Sequence, residues 1–298
     1  MVSFIIVHYK TFTYTKNAIE SIVKYMVDFP YEIILVDNAS LDGSLEKLEH
    51  NFKDLIYKEN LILVESSENK GFSSGNNIGF QIAKGDYYVL INSDAELTGT
   101  TVQKAVEYLE MNPAIGALSA RVINEHGELD EACKRGFPDP ISSLYYYLRL
   151  GKLFPKESKY NQYKLNHLNE YDRHNVDAIS GAFMVIPRCV LEETGTFDET
   201  FFMYGEDLDL CFRIKEKGYL ICYNPDLGNV IHYKGQSGKR LKIKTTYEFY
   251  RAMCVFYNKH YKEVYPLFVG WIIKASIWTL FGVKMTFGQL KTLLVHRK

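Results

Sequence analysis

The chain has 298 residues, of which 47% are hydrophobic and 24% are charged, so a large buried core is expected and global disorder is excluded. The formal net charge of −1 hides an asymmetry. Residues 234–298 carry 13 basic and two acidic residues, whereas residues 1–233 carry 22 basic and 34 acidic ones, a contrast that bears on partners rather than on the fold. Five cysteines without a CxxC pair argue against a disulfide framework or a zinc site and suit a reducing compartment.

Strand and helix patterns alternate over the first hundred residues. The sequence predicts strands at 2–9, 31–38, 60–66 and 86–92, and helices at about 13–27, after 40, and after the loop that starts at 69. Such alternation predicts a mainly parallel sheet with helices on both faces. In sheets of this kind, ligands bind outside the carboxyl ends of the strands.

The second half of the chain is less regular. A helix is predicted at about 100–111, a single strand at 115–123, a strand and a short helix within 176–188, a helix from near Gly205, and strands within 220–233. Between them, residues 136–174 contain three prolines and a tyrosine-rich stretch, which we interpret as an insertion or lid near the acceptor side.

From about Tyr247 the chain becomes rich in aromatic and basic residues. The apolar run 266–283 has 18 residues but is interrupted by Lys274, so it is marginal for a bilayer span. An amphipathic helical pair lying in the plane of the membrane surface, with its basic residues toward anionic headgroups, fits better. The alternative is a helix that packs its aromatic side chains on the rest of the protein.

Polar residues follow several of the predicted strands. Asp37 ends the second strand, the turn that contains Gly71 follows the third, and Asn92, Asp94 and Glu96 follow the fourth. If residues 92–96 stay extended, their three polar side chains face one side. One carboxylate and an amide could hold Mg²⁺ together with substrate phosphates, although an ordinary solvated strand end explains the same residues.

Two further motifs carry candidate chemistry. Glu206, Asp207 and Asp209 lie in the first turn of a predicted helix, where acids are favoured by the helix dipole, but where crowded carboxylates also suit a general base. His232 stands at a strand end before Lys234 and a glycine-rich loop. A lone histidine is more often structural, whereas this context favours contact with a metal or a phosphate.

Seven stretches, in this order, resemble glycosyltransferase family 2, and in particular its bacterial rhamnosyltransferases: SFIIVHYKT, VDNASLDGS, NKGFSSGNN, LINSDAEL, SGAFMVIPR, FFMYGEDLDLCFR and HYKGQSG. The resemblance implies a GT-A fold, which is an α/β fold with a Rossmann-like, mainly parallel central sheet. It divides the chain into a catalytic domain at 1–240 and a helical, membrane-associating extension at 241–298. Within the catalytic domain, about 1–98 would form the nucleotide-sugar half and 99–240 the acceptor half.

The resemblance also implies roles for particular residues. Asp207 would be the catalytic base, with Glu206 as the alternative. Mg²⁺ or Mn²⁺ would be bound by Asp94 and His232, although Asn92 stands where the family's DxD motif has its first aspartate. The resemblance further implies that seven residues would bind the nucleotide: Tyr9, Asp37, Asn69, Gly71, Asn76, Asn92 and Ser93. Three others would line the donor and acceptor cleft: Gly181, Ala182 and Lys234.

The function implied is an inverting transfer of a sugar, with L-rhamnose from dTDP-rhamnose favoured, to a saccharide on a polyprenyl diphosphate. The enzyme would act in surface polysaccharide synthesis, peripheral to the cytoplasmic face of the bacterial plasma membrane. No nucleic-acid partner is expected, and a homo-oligomer is left open. The alternatives are transfer of galactose, glucose or N-acetylglucosamine from a UDP-sugar, a nucleotide-dependent enzyme of another chemistry, and a non-catalytic scaffold that binds nucleotide sugars at a membrane.

Overall fold

The structure is a computed structural model that describes residues 1–235 and 242–295. Its strands are β1 (Val2–His8), β2 (Tyr31–Asp37), β3 (Leu61–Glu65), β4 (Tyr87–Ile91), β5 (Ala95–Leu97), β6 (Ile115–Ser119), β7 (Arg121–Ile123), β8 (His174–Val176), β9 (Phe183–Pro187), β10 (Leu220–Tyr223) and β11 (Asn229–His232). Its helices are α1 (Phe12–Tyr25), α2 (Ser44–Asn51), α3 (Lys53–Tyr57), α4 (Phe72–Ile82), α5 (Thr101–Met111), α6 (Pro140–Tyr147), α7 (Leu150–Leu153), α8 (Arg188–Thr194), α9 (Glu206–Glu216), α10 (Lys242–His260) and α11 (Leu267–Val295).

A central sheet runs through the described residues in the order β3-β2-β1-β4-β9-β6-β10-β8. Strands β3, β2, β1 and β4 are parallel, β9 runs antiparallel to its neighbours β4 and β6, and β8 is antiparallel to β10. The strands at the centre of the parallel half are almost wholly buried, because helices cover both faces of that half. The predicted α/β class is confirmed, with a mixed rather than parallel second half.

A second, smaller sheet has the order β5-β11-β7. The prediction of one strand over 115–123 is wrong, because the chain leaves the central sheet after Ser119 and pairs with β11 from Arg121 onward. At this change of sheet, the Ser119 hydroxyl donates to the Phe183 carbonyl of β9 (2.9 Å). The small sheet matters for function, because it holds β5 and β11 in register.

The predicted insertion forms α6, α7 and irregular turns. Its first helix begins after Asp139, whose carboxylate accepts hydrogen bonds from the amides of Ile141 and Ser142, and Pro140 occupies the first helical turn. The insertion then returns to the body, where the Gly136 amide donates to the Tyr163 carbonyl (2.8 Å).

The two C-terminal helices are attached differently. Ala252 and Phe256 of α10 belong to the main hydrophobic core, and His260 reaches buried Asp209 on α9 (2.8 Å). Helix α11 packs on α10 through a small cluster centred on Ile277, and most of its other side chains up to Thr286 are exposed. By length and composition, residues 267–286 could cross a membrane. The domain boundary at 240 falls among residues that the structure does not describe, as does Gln236–Gly238 of the HYKGQSG motif.

Candidate active site

One group of polar side chains gathers where β5 and β11 meet. His232 pairs with Ala95 across the small sheet, and the Tyr233 amide donates to the Asp94 carbonyl (2.9 Å), so sheet register brings residues 140 positions apart together. The His232 Nε2 atom lies 3.3 Å from Asp94 Oδ1 and 3.2 Å from Asn92 Nδ2. We call the group the β11 cluster; its members are Asn92, Asp94, Asp130, His232 and Lys234.

Asp130 holds the other side of the histidine ring. His232 Nδ1 lies 3.1 Å from Asp130 Oδ2, and the exposed Lys234 ammonium donates to Asp130 Oδ1 (2.8 Å). Burial alone would lower the pKa of His232, but hydrogen bonds to Asp130 and Asp94 outweigh it and raise the pKa to about 9. Burial alone would raise the pKa of Asp130, yet donation from His232 and Lys234 holds it well below its usual range. At neutral pH His232 therefore carries a proton on both nitrogens and donates from Nδ1 to Asp130 and from Nε2 to Asp94.

The donors in this cluster fit a hard divalent cation in part. Asn92 Oδ1 is buried and has no hydrogen-bond partner among the described residues, and the Asp94 carboxylate lies beside the same histidine. Oxygen atoms of this kind suit Mg²⁺ or Mn²⁺ when phosphates complete the coordination. Within the described part of the chain, no group of three or more His, Cys, Asp and Glu side chains is arranged to hold a metal by itself.

The prediction that Asn92, Asp94 and Glu96 face one side is wrong for Glu96. The chain turns at 92–95, where the Ala95 amide donates to the Asn92 carbonyl (3.0 Å). This turn brings Asn92 and Asp94 together on His232, whereas Glu96 accepts a hydrogen bond from Asn17 (3.3 Å). A turn, and not strand alternation, builds this part of the site.

Asp37 forms a second polar group at the carboxyl end of β2. One carboxylate oxygen accepts from the Ser40 amide (3.0 Å), and the other is buried with no hydrogen-bond partner among the residues described. Asn38 next to it donates to the Asn69 side chain and to the Gly71 carbonyl. The structure thus brings Asp37, Asn69 and Gly71 to one place, with an acceptor atom available for a ligand N–H or O–H.

Other predicted nucleotide residues have contacts within the protein. A Cβ at Gly71 would lie 2.1 Å from the Phe202 carbonyl oxygen, so the close approach that this glycine permits is to the protein's own backbone. Asn76 is buried in α4, where it donates to the Phe72 carbonyl (2.9 Å). Ser93 hydrogen-bonds to Thr11 (3.1 Å), and Tyr9 is half-buried at the end of β1. Their roles toward a nucleotide stay predictions.

A third group lies at the start of α9, and we call it the α9 cluster: Arg135, Glu206 and Asp207. The Arg135 guanidinium donates to Asp207 Oδ2 (2.6 Å), and the Leu208 amide donates to Asp207 Oδ1 (2.8 Å). All three side chains are largely buried. The two carboxylates have Arg135 as their nearby cation: Arg135 forms an ion pair with Asp207, and its charge also acts on Glu206.

Because the α9 cluster has two carboxylates and one cation, one of its carboxylates holds a proton. Burial, together with the neighbouring Asp207, raises the pKa of Glu206 to about 8, so this side chain is mainly neutral at pH 7. The Arg135 pKa is raised above its ordinary value, because the attraction of Asp207 outweighs the effect of burial. At neutral pH the cluster therefore contains a charged Arg135–Asp207 pair beside a protonated Glu206.

The backbone at Gly181 and Ala182 connects the α9 cluster to the β11 cluster. The Gly181 amide points to Asp207 Oδ2 (3.4 Å), and the Ala182 carbonyl accepts from the Asn92 amide (3.1 Å). Two consecutive residues thus contact both clusters. Of the predicted cleft residues, Gly181 and Ala182 lie between the predicted base and the predicted metal ligand, whereas Lys234 belongs to the β11 cluster.

Sequence reasoning missed Asp130 and Arg135. Both lie in the irregular segment after β7, which has neither helical nor strand periodicity, and neither belongs to a recognisable motif. Their contacts with His232 and Asp207 span 102 and 72 residues, respectively. No local pattern in the chain signals contacts over such separations.

Comparison with protein families gives one match: residues 3–195 fit the family described as Glycosyl transferase family 2. Among curated relatives, the chain is 23% identical over 264 residues to the N-acetylglucosaminyl-diphospho-decaprenol L-rhamnosyltransferase of Mycobacterium tuberculosis, covering 85% of this chain and 80% of the relative. It is 25% identical over 285 residues to the rhamnosyltransferase WbbL of Escherichia coli, covering 90% of this chain and 99% of that protein.

Solved structures show the same fold. The mannosyltransferase PcManGT from Pyrobaculum calidifontis, solved with GDP-Man and Mn²⁺, superposes with a TM-score of 0.57 at 18% identity, covering 98% of this chain and 80% of that one. At this identity the similarity concerns the fold alone. The GT-A architecture expected from the sequence is thereby confirmed.

Proposed function

The chain belongs to glycosyl transferase family 2, and from that premise we propose that it is an inverting, metal-dependent rhamnosyltransferase acting on a lipid-linked saccharide. The class of enzyme follows from the family. The stereochemistry, the metal, the sugar and the acceptor are our proposal, and each is argued below.

One observation carries the proposal. In the described residues, six buried side-chain polar atoms lack a hydrogen-bond partner, and four of them belong to the candidate site: Asp37 Oδ1, Asn92 Oδ1, Arg135 Nε and Glu206 Oε2. Folded proteins leave few such atoms, because each costs about 1–3 kcal/mol. Their concentration along one edge is expected if a polar ligand supplies the missing partners. A nucleotide sugar has polar groups for each of them.

Asp207 is suited to be the base. It forms an ion pair with Arg135, whereas Glu206 is mainly protonated at pH 7 and cannot accept a proton until it loses its own. The Asp207 carboxylate receives three donors, and carboxylates have about four lone-pair positions, so one remains for an acceptor hydroxyl.

The reaction then proceeds as a single displacement. Asp207 takes the proton from the acceptor hydroxyl while the oxygen of that hydroxyl forms a bond to the anomeric carbon. The bond from that carbon to the diphosphate oxygen breaks, and the nucleoside diphosphate leaves with the electron pair. Because the attacking and leaving oxygens lie on opposite faces of the sugar carbon, the configuration inverts.

The β11 cluster would serve the leaving group. Asp94 and the unpartnered Asn92 oxygen would hold a divalent cation, with His232 adjoining them. Such a cation, when bound, neutralises the negative charge that grows on the diphosphate. The imidazolium of His232 and the ammonium of Lys234 add positive charge near the same position.

The choice of sugar and acceptor rests on the relatives. Two curated relatives are named as rhamnosyltransferases, and one name specifies an acceptor on decaprenyl diphosphate. An apolar, largely exposed α11 and a basic C-terminal region suit attachment to the membrane that would contain such an acceptor. We place the enzyme on the cytoplasmic face of that membrane, with α10 and α11 at its surface.

A donor screen tests this proposal. The purified full-length protein is incubated with Mn²⁺, N-acetylglucosaminyl-diphospho-polyprenol and dTDP-rhamnose, UDP-galactose, UDP-glucose or UDP-N-acetylglucosamine, and products are read by mass spectrometry. We expect a deoxyhexose to be added from dTDP-rhamnose. A hexose or N-acetylhexosamine product would replace rhamnose with another sugar. Donor binding without product from any donor would favour a non-catalytic scaffold.

A further inference from the structure

The insertion between Gly136 and Tyr163 differs in charge from the body around it. Residues 136–163 contain four basic and two acidic residues, whereas the rest of residues 1–233 contains 18 basic and 32 acidic residues. Arg149, Lys152, Lys156 and Lys159 are exposed and have no carboxylate within salt-bridge distance among the described residues. A cationic segment on an acidic body points to an anionic partner outside the protein.

The same segment exposes apolar side chains. Leu153 is 70% exposed and Leu148 58%, and the other large hydrophobic side chains that the insertion leaves exposed are Ile141, Leu144, Tyr146, Tyr147 and Phe154. Single exposed apolar residues are ordinary on a protein surface, but a contiguous group of this kind marks an interaction site. Leucine and aromatic side chains interleaved with lysine and arginine are the composition of segments that lie at a lipid interface.

The insertion contacts the C-terminal helix pair. The Tyr147 hydroxyl lies 3.5 Å from the sulfur of Met253 on α10, and Met253 packs in the small cluster that joins α10 to α11. Helix α11 exposes its own apolar residues, with Trp271 73% exposed. The insertion therefore lies against the helix pair that the proposed function places at the membrane.

We propose that residues 140–160 form a second membrane-docking element, which binds an anionic lipid bilayer together with α10 and α11. This inference rests on the proposed membrane attachment of the helix pair and extends it to a separate part of the chain. Charge complementarity and continuity with α10 and α11 favour a bilayer over a second protein copy as the occupant.

Such docking would have a consequence for the reaction. The insertion is anchored at Gly136, directly after Arg135, which contacts the candidate base Asp207. A bilayer bound by the insertion would thus lie beside the acceptor side of the site. Contact with the bilayer through both the insertion and the helix pair would fix the orientation of the cleft above the membrane better than contact through the helix pair alone.

The test uses the full-length protein and vesicles of phosphatidylcholine with or without phosphatidylglycerol, with binding measured by flotation. The insertion variant is Lys152→Glu/Lys156→Glu, and its matched control is Lys53→Glu/Lys58→Glu, two exposed lysines at the β3 edge of the sheet. Each basic residue near an anionic surface strengthens binding about fivefold, so the insertion variant should bind phosphatidylglycerol vesicles at least about tenfold more weakly. The control variant should bind like the wild type.

A third variant, Trp271→Ser/Ile272→Ser in α11, separates this inference from the proposed function. If the α11 variant loses vesicle binding while the insertion variant keeps it, the insertion is not a docking element and the attachment through α11 stands. If the wild type binds neither type of vesicle, both ideas are overturned. Sedimentation of the wild type and of Leu148→Ser/Leu153→Ser tests the rival occupant: a dimer abolished by this variant, with vesicle binding intact, would replace the bilayer by a second copy.

A second measurement reports the insertion directly. Both tryptophans of the chain, Trp271 and Trp278, lie on α11. A Phe154→Trp variant in a Trp271→Phe/Trp278→Phe background places the single tryptophan on the insertion. Brominated phosphatidylcholine mixed with phosphatidylglycerol should quench its fluorescence in bound protein. Unquenched fluorescence in protein that still floats with the vesicles would overturn the inference.

Discussion

The β11 cluster and the α9 cluster are both buried and both contain two carboxylates, yet they balance charge differently. In the β11 cluster, two carboxylates face an imidazolium and an ammonium, and the pKa of His232 rises to about 9. In the α9 cluster, two carboxylates share the single guanidinium of Arg135, and the pKa of Glu206 rises to about 8. The β11 cluster therefore holds a proton on a base, His232, whereas the α9 cluster holds one on an acid, Glu206.

The difference teaches how one fold prepares two kinds of site. In the proposed function, the approximately neutral β11 cluster would accept a dianionic diphosphate together with a divalent cation without accumulating charge. The α9 cluster carries one carboxylate more than it has cations, so a proton is held on Glu206 while Asp207 pairs with Arg135. A proton acceptor at Asp207 and a charge-compensating group on the other side of Gly181 and Ala182 are what a displacement reaction requires.

The largest effect is expected from Asp207→Asn, because an amide cannot accept the proton of the acceptor hydroxyl. Sugar transfer should fall by about 10²–10⁴-fold, with nucleotide affinity nearly unchanged. Turnover is measured with the lipid-linked acceptor, and nucleotide binding by calorimetry. Asp226→Asn, at an exposed aspartate outside both clusters, is the matched control. Turnover close to that of the wild type would remove Asp207 from the base role.

Arg135→Ala tests the charge shortage in the α9 cluster. Removing the cation that is paired with the largely buried Asp207 carboxylate should lower the free energy of unfolding by about 3–5 kcal/mol, measured by urea denaturation. Lys234→Ala is the matched change in the β11 cluster. The Lys234 side chain is 68% exposed, and Asp130 would still be paired with His232 in this variant. The free energy of unfolding should therefore fall by less than about 1 kcal/mol. Equal losses would contradict the contrast between the clusters.

Glu206→Gln tests where the proton resides. The folded pKa of about 8 lies above the unfolded value of 4.5, so the protonated form contributes stability that is complete below pH 4.5 and is lost as pH rises through 8. Wild-type stability should fall across this window by on the order of 3–5 kcal/mol more than that of Glu206→Gln. Urea midpoints at pH 5 and pH 8 measure the difference.

The same variant separates the two candidate bases. Glutamine resembles the neutral acid that Glu206 presents at pH 7, so Glu206→Gln should retain transfer within severalfold while Asp207→Asn loses it. The reverse pattern would make Glu206 the base. Parallel pH profiles of stability for the wild type and Glu206→Gln would show that no proton is held there.

Asp94→Ala should have the smallest effect, confined to metal-dependent binding. Loss of a ligand should weaken nucleotide affinity by about tenfold or more in Mn²⁺ and leave affinity in EDTA nearly unchanged. Glu96→Ala is the control, because Glu96 lies in the same stretch but contacts Asn17 instead of the cluster. Identical nucleotide affinity of the wild type with and without Mn²⁺ or Mg²⁺ would remove the cation from the proposal.

Much of the first half of the fold could be predicted from the chain. The strands β1 to β4 lie within one residue of the predicted positions and α1 within two, because each strand is a short apolar run and α1 has one apolar face. The helices predicted after 40 and after 69 correspond to α2 and α4, whereas α3 is not predicted. The split of 115–123 into β6 and β7 could not be predicted, since both pieces are apolar and only pairing with β11 distinguishes them.

The site shows the same division. Asp37, Asp94, Asp207 and His232 could be selected because each stands at the end of a predicted element within a motif. Asp130 and Arg135 could not, because the segment around them has no period. The contact of Glu96 with Asn17 could not be predicted either, because the chain forms a turn at 92–95 where an extended segment was assumed.

By itself the sequence determined the α/β class, the edge of the sheet where polar residues gather, and the carboxylates available there, because these depend on local periodicity and on residue type. Only the tertiary structure decided which cation each carboxylate receives. Arg135 and Asp130 reach their partners across 72 and 102 residues, and the pKa values of Glu206 and His232 depend on those distant partners and on burial, which no local pattern encodes.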